Sequence, residues 1–161
     1  MRKFASDIVR QCGMALIAIA LTAAAPLALS AADDENIWTW MNGPSSAEQD
    51  LSFGTQGVAA PSNSPGCRIY FSSASDPDGK FWVFGGYTRY DGGTLARFDD
   101  LWQFDPSTAE WTWIKGSTTN RTKRVSGTQG VSSPANTPGC RLGAVLWCDD
   151  AGIVWLFGGE G

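Results

Sequence analysis

The chain has 161 residues, with 12 Lys and Arg against 16 Asp and Glu, a net charge of −4, and no histidine. Without histidine, imidazole-ligated metal centres and Ser-His or Cys-His catalysis are excluded from within this sequence. The acidic balance argues against nucleic acid as a partner, because neutralising phosphates takes clustered cations; only Arg121, Lys123 and Arg124 come close together, and they read as a solvated loop.

In chain order, Arg2, Lys3 and Arg10 precede an apolar stretch over residues 14–29, which small residues close at Ser30-Ala31-Ala32. That is the order of a signal peptide over residues 1–32, with Asp33-Asp34-Glu35 as the mature start. The apolar run is shorter than the ~20 residues a spanning helix needs, and Pro26 interrupts it. No membrane span is therefore expected after cleavage, and the chain is expected to be secreted, periplasmic or at the cell surface. Removing three bases and one acid from the 12 and 16 leaves 9 and 15, a net charge of −6. Cys67, Cys140 and Cys148 remain, an odd number, and are read as small packed thiols rather than a bridged pair. Asn120-Arg121-Thr122 is a glycosylation acceptor that matters in a eukaryotic source alone.

From Trp38 onward the sequence repeats. Residues 38–88 recur as residues 111–161 without a gap, at an offset of 73 (111 − 38). Trp38-Thr39-Trp40 matches Trp111-Thr112-Trp113, Gly54-Thr55-Gln56-Gly57 matches Gly127-Thr128-Gln129-Gly130, and Pro65-Gly66-Cys67-Arg68 matches Pro138-Gly139-Cys140-Arg141. A fixed period of this kind means one supersecondary unit copied, with hydrophobic faces covered by neighbouring copies.

Within one copy, four aromatic and β-branched runs predict four antiparallel strands and no helix, an all-β fold. The runs cover residues 68–75, 80–86, 99–105 and 110–115. Asp76-Pro77-Asp78-Gly79 and Pro106-Ser107-Thr108-Ala109 supply the tight turns. Such acidic turns could alternatively hold calcium, but the ligand spacing for that is absent. Alternation puts Trp102 and Phe104 on one face, with Trp111 and Trp113 sharing a face of the fourth strand as core. Two segments exceed a minimal meander: the recurrent Gly/Pro-rich loop before each first strand, expected to be ordered, and a loop over residues 87–98. The second supplies the candidate binding residues Tyr87, Arg89, Tyr90 and Arg97.

A unit whose second strand ends in Phe84-Gly85-Gly86, whose third reads Asp100-Leu101-Trp102 then Phe104-Asp105, and whose fourth carries Trp111-Thr112-Trp113 resembles a kelch repeat. The pattern-bearing positions are Arg68, Gly85, Gly86, Trp102, Trp111 and Trp113, with Arg141, Gly158 and Gly159 in the next copy. The resemblance implies a kelch-type β-propeller, similar to the central domain of galactose oxidase and to exported bacterial kelch-like proteins. It divides residues 33–161 into a lone fourth strand (37–41), a full blade (68–115) and half a blade (141–159). Propellers close with 4 to 8 blades, so the sequence is read as an N-terminal fragment of an incomplete propeller that requires further blades. The function implied is an interaction scaffold for a protein or carbohydrate ligand, without cofactor or metal. The alternatives are part of a copper radical oxidase with catalytic residues elsewhere, or a structural surface module; no catalytic residue is assigned here.

Overall fold

The computed structural model describes residues 38–46, 50–89 and 95–161. The expected leader, Ile37 and Tyr90 lie outside the described residues. Two compact units divide the chain, Met1–Trp38 and Thr39–Gly161, and the strands among the described residues lie in the second. They are β1 (Ala59–Ala60), β2 (Ser72–Ser75), β3 (Phe81–Phe84), β4 (Tyr87–Arg89), β5 (Leu95–Arg97), β6 (Leu101–Asp105), β7 (Glu110–Lys115), β8 (Val145–Cys148) and β9 (Val154–Phe157). Among the described residues there is no helix. The fold is all-β, as expected.

One antiparallel sheet has the order β1-β7-β6-β3-β2. Its last four strands are the predicted meander: β2 pairs with β3, β3 with β6 and β6 with β7. The turn chemistry works as read. Asp76 Oδ1 accepts the amides of Asp78 and Lys80 while its Oδ2 accepts the Trp82 indole N–H at 2.8 Å. Asp149 repeats this with Ala151, Ile153 and Trp155 in the β8–β9 turn. Both carboxylates are thus engaged in closing hairpins.

The aromatic face is the core. Trp102 is fully buried, with Phe104 and Phe84 beside it, and Phe104 meets Trp111 at 5.0 Å between ring centroids. Phe53, from the recurrent loop, stacks on Trp102 at 5.5 Å and meets the edge of Trp113 at 4.9 Å. The loop is ordered, as predicted, and buried Asn63 fastens it, donating to Val58 and Trp111 carbonyls. In the second copy the bridge Val125↔Thr137 reproduces Ser52↔Ser64, and Asn136 donates to Val131 as Asn63 does to Val58.

The second copy contributes the two-stranded sheet β8–β9. It is bound to the first where Ser72 Oγ donates to the Ala144 carbonyl and Gly143 N to the Tyr70 carbonyl. Gly85 and Gly86 sit at this junction with φ of +64° and +84°. A Cβ on Gly85 would lie 2.6 Å from the Arg141 carbonyl oxygen, and one on Gly86 2.8 Å from that of Ile69, so neither position admits a side chain.

Four expectations need correction. The first strand starts at Ser72 rather than residue 68, because Tyr70 takes φ of +52° and breaks the ladder; Ile69 makes an isolated bridge to Tyr87 instead. The loop over residues 87–98 contains the hairpin β4–β5, which its Tyr, Thr and Leu can sustain on either side of the Asp91-Gly92-Gly93 turn signal. The described part of the lone strand, residues 38–41, pairs with nothing and leaves Trp38 98% and Trp40 64% exposed, since an extended segment without a neighbour has no ladder to hold it. Cys140 is buried, whereas Cys67, expected in the same packed role, is exposed.

At the top of the meander, Arg68 reaches into the sheet. Its guanidinium meets both Asp100 carboxylate oxygens at 2.8 and 3.0 Å, and bonds to the Gly85 and Pro65 carbonyls. The pair is 3% and 0% exposed. Asp100 also accepts the Trp102 indole N–H at 2.8 Å, and the Arg68 guanidinium lies 4.6 Å above the Phe98 ring. Asp100→Asn leaves the arginine charge buried without its counter-ion, so urea unfolding should show a loss of about 3–5 kcal/mol. The double replacement Arg68→Met/Asp100→Leu should recover most of it, and a loss under about 1 kcal/mol in the single variant would contradict the assigned role.

Candidate functional site

The hairpin β4–β5 grows from the end of the sheet where β3 finishes and β6 begins. Its register sets Tyr87 opposite Arg97, Thr88 opposite Ala96 and Arg89 opposite Leu95. Of the four residues singled out from sequence, the structure therefore brings Tyr87 and Arg97 together and places Arg89 on the same hairpin. The recurrent loop reaches the same end of the sheet: Gly57 N and Gln56 Nε2 donate to the Trp113 and Ile114 carbonyls, next to Lys115, which pairs with Leu101.

Tyr70, which sequence reasoning did not assign to the site, completes it. Its ring stacks on Tyr87 at 5.8 Å with 10° between planes, and it is 66% exposed. Arg97 donates to Glu160 Oε1 at 3.0 Å across the same cleft. Tyr70, Tyr87, Leu95, Arg97, Leu142 and Glu160 line a cavity of about 340 Å³. The backbone of Tyr70 is costly. In the second copy its position is held by Gly143 with φ of +60°, so the fold requires a left-handed residue here and the first copy puts a tyrosine there anyway. That exchange was readable from the 73-residue offset.

A second, larger cavity of about 660 Å³ shares Leu95 and Arg97 with the first and is bounded by residues 121–124 and 138–141. Cys140 lies in its wall, donating to the Arg97 carbonyl at 3.2 Å; burial, then the charge of Asp99, pushes its thiol up, which keeps it protonated and a poor nucleophile at neutral pH. At the opposite end of the sheet, the Ser107 hydroxyl and Lys80 pull Asp105 down to about 2. That carboxylate belongs to a turn, like Asp76 and Asp149.

With this geometry in view the comparison with known families is direct. Residues 70–118 match the Kelch motif. The matched span runs from Tyr70 through the hairpin to just past the fourth strand, so the meander β2-β3-β6-β7 coincides with the Kelch motif. Among curated proteins no match is found. Of the residues singled out for that pattern, Arg68 and Trp102 lie in the buried network, Trp111 and Trp113 against Phe104 and Phe53, and Gly85 and Gly86 at the junction, whereas a Cβ on Gly158 would meet nothing within 4 Å. Gly159 repeats the close approach of Gly86, with Leu142 and Ala144 in place of Ile69 and Phe71.

The tyrosine in the left-handed position gives a direct test. A Cβ there costs roughly 1–2 kcal/mol, and glycine returns roughly 0.5–1 of that through the freedom it gains when unfolded. Tyr70→Gly should accordingly be more stable than Tyr70→Ala by about 0.5–1 kcal/mol in urea titrations, the reverse of the order usual within a fold. Equal stabilities would mean that the strained backbone is not held.

Proposed function

We propose that the chain is an exported protein-interaction scaffold, with a docking surface at the hairpin end of its complete blade. Kelch motifs commonly mediate protein binding. The observation that carries the reading is the pairing of a strained, exposed Tyr70 with Tyr87 beside Arg97. A fold does not keep a side chain in a left-handed position that its own repeat fills with glycine unless the ring serves something outside the core. Tyrosine and arginine are also the side chains that dominate binding energy at protein interfaces, through large apolar contact and forked hydrogen bonding.

In this reading residues 1–32 are a leader removed on export, residues 33–161 are blades, and further blades complete the ring. Amino-terminal sequencing of protein recovered from outside the cytoplasm should start at Asp33; recovery of intact residues 1–32 would sink the export reading. The docking surface is tested by placing a photo-crosslinking side chain at Thr88, on the hairpin, or at Ser107, in the exposed turn at the far end of the sheet. A discrete crosslinked partner is expected from Thr88 and not from Ser107. Equal capture from both sites, or from neither, would overturn the assignment.

A further inference from the structure

The first copy carries two tyrosines that face each other. Tyr70 and Tyr87 stack with 5.8 Å between ring centroids and 10° between planes, inside the ~4.5–7 Å range of interacting aromatic pairs. Backbone bonds fix the base of each ring. Ile69 and Tyr87 exchange both amide-to-carbonyl bonds, at 2.9 and 3.0 Å, and Gly143 N donates to the Tyr70 carbonyl at 2.8 Å. Tyr70 is 66% exposed, so its ring is open to solvent and tilts on the fast timescale of surface side chains. Tyr87 is half-buried.

The repeat separates what the fold needs from what it does not. At the 73-residue offset Tyr70 corresponds to Gly143 and Tyr87 to Glu160. The bridge Leu142↔Glu160 reproduces Ile69↔Tyr87, so the second copy keeps the backbone of the pair with no phenol at either position. Folding therefore requires neither ring. At position 70 the ring also sits on a left-handed backbone, φ of +52° against +60° for Gly143, a cost that glycine avoids. Packing does not account for a ring so exposed, whereas chemistry between two phenols needs both of them, in contact and within reach of an oxidant.

From this geometry we infer that Tyr70 and Tyr87 form an oxidative cross-linking site whose product is an intramolecular dityrosine. The oxidant is hydrogen peroxide acting through a haem peroxidase. Each phenol gives up one electron and one proton, which leaves a phenoxyl radical with spin on the oxygen and on the two ring carbons beside it. The facing radicals combine to a Cε–Cε bond. The hydrogen on each joined carbon then moves through solvent to its own ring oxygen, which restores both phenols. The two electrons and two protons removed cleave the peroxide O–O bond and leave as two waters. Rings already in contact couple before either meets another molecule, because the encounter has been made in advance. The new bond closes a loop of 17 residues (87 − 70) and ties the segment before β2 to β4. It locks the strained backbone to the base of the hairpin, a constraint of the kind a disulfide imposes. The inference goes beyond the docking reading and does not rest on it.

The test treats the full chain at low concentration with a haem peroxidase and hydrogen peroxide, isolates the monomer and digests it with trypsin. Cleavage after Arg68, Lys80 and Arg89 puts Tyr70 in peptide 69–80, Tyr87 in peptide 81–89, and Tyr90, the last of the 3 tyrosines, in the next. The monomer should gain dityrosine fluorescence and yield peptides 69–80 and 81–89 joined, two hydrogens lighter than their sum. Tyr70→Phe and Tyr87→Phe, which keep a ring in each place, should each abolish the joined pair, while Tyr90→Phe should retain it. In urea above the unfolding midpoint its yield should fall by about tenfold or more, because the contact that favours coupling is gone. The cross-linked monomer should unfold at higher urea than the untreated chain. Absence of the joined pair from the monomer, cross-links confined to dimers, a yield unchanged in urea or a joined pair that survives Tyr70→Phe would each overturn the site. An unchanged urea midpoint would overturn its role as a staple. Capture from Thr88 is decided separately: a joined pair without a captured partner keeps this site and removes the scaffold, and the reverse result does the opposite.

Discussion

The blade is organised around one buried ion pair. Arg68 precedes the first strand, Asp100 opens the third, and Gly85, whose carbonyl the guanidinium also takes, ends the second. A single cation thus fixes three chain crossings at one end of the sheet, and Asp100 carries the constraint into the core through the Trp102 indole. Two charges taken out of water offer little net stability compared with well-packed apolar groups. What they impose is selectivity. Any arrangement that misplaces the start of the third strand strands a buried charge, a penalty that a slipped aromatic face alone would not incur.

That constraint explains why the hairpin end is crowded and the opposite end is simple. With the crossings pinned, the connection from β3 to β6 leaves at the glycine pair and returns past Phe98 into Asp99 and Asp100, so β4 and β5 project from a rigid base. The neighbouring copy is secured to the same base, since Gly86 N donates to the Arg141 carbonyl and Arg141 N to that of Phe98. At the other end, the turns are closed by Asp76 and Asp105 and joined by the Lys80–Asp105 ion pair at 3.1 Å, and Asn42 donates to the Ala109 carbonyl there. A surface built on fixed crossings keeps its side chains in place at low entropic cost, which is what recognition needs.

Most of the meander was legible because its signals are local. The fourth strand was bounded correctly at residues 110–115, where alternating tryptophans lie between a turn and Gly116. The third was two residues too long at its start because Asp99 and Asp100 face inward to make hydrogen bonds rather than continue the ladder. The strand Ala59–Ala60 had no signal at all: two alanines pair with β7 because Phe53, Gln56 and Asn63 fasten the loop there, a tertiary cause that no propensity carries. The hairpin over residues 87–97 was hidden by length, its strands being three residues each. Cys67 and Cys140 show the limit of repeat reasoning, since equal sequence positions are buried differently where their surroundings differ.

The candidate sites were legible in a different way, through disagreement between copies. Where the two repeats agree, as at Arg68 and Arg141 or Gly86 and Gly159, the residue type is set by the unit's own geometry. Where they differ against local cost, the fold is not the cause. Tyr70 replaces a glycine in a left-handed position, and Arg121, itself left-handed, stands where the first copy has Glu48. The remaining left-handed residue other than glycine, among those described, is Ala109 in the β6–β7 turn, where a tight reversal explains it. Tyr70 and Arg121 have no such turn to account for them, and each lines one of the two cavities that meet at Arg97. Backbone strain and divergence between copies thus meet near Arg97, and the ion pair at the base of the hairpin is what keeps that end of the sheet rigid.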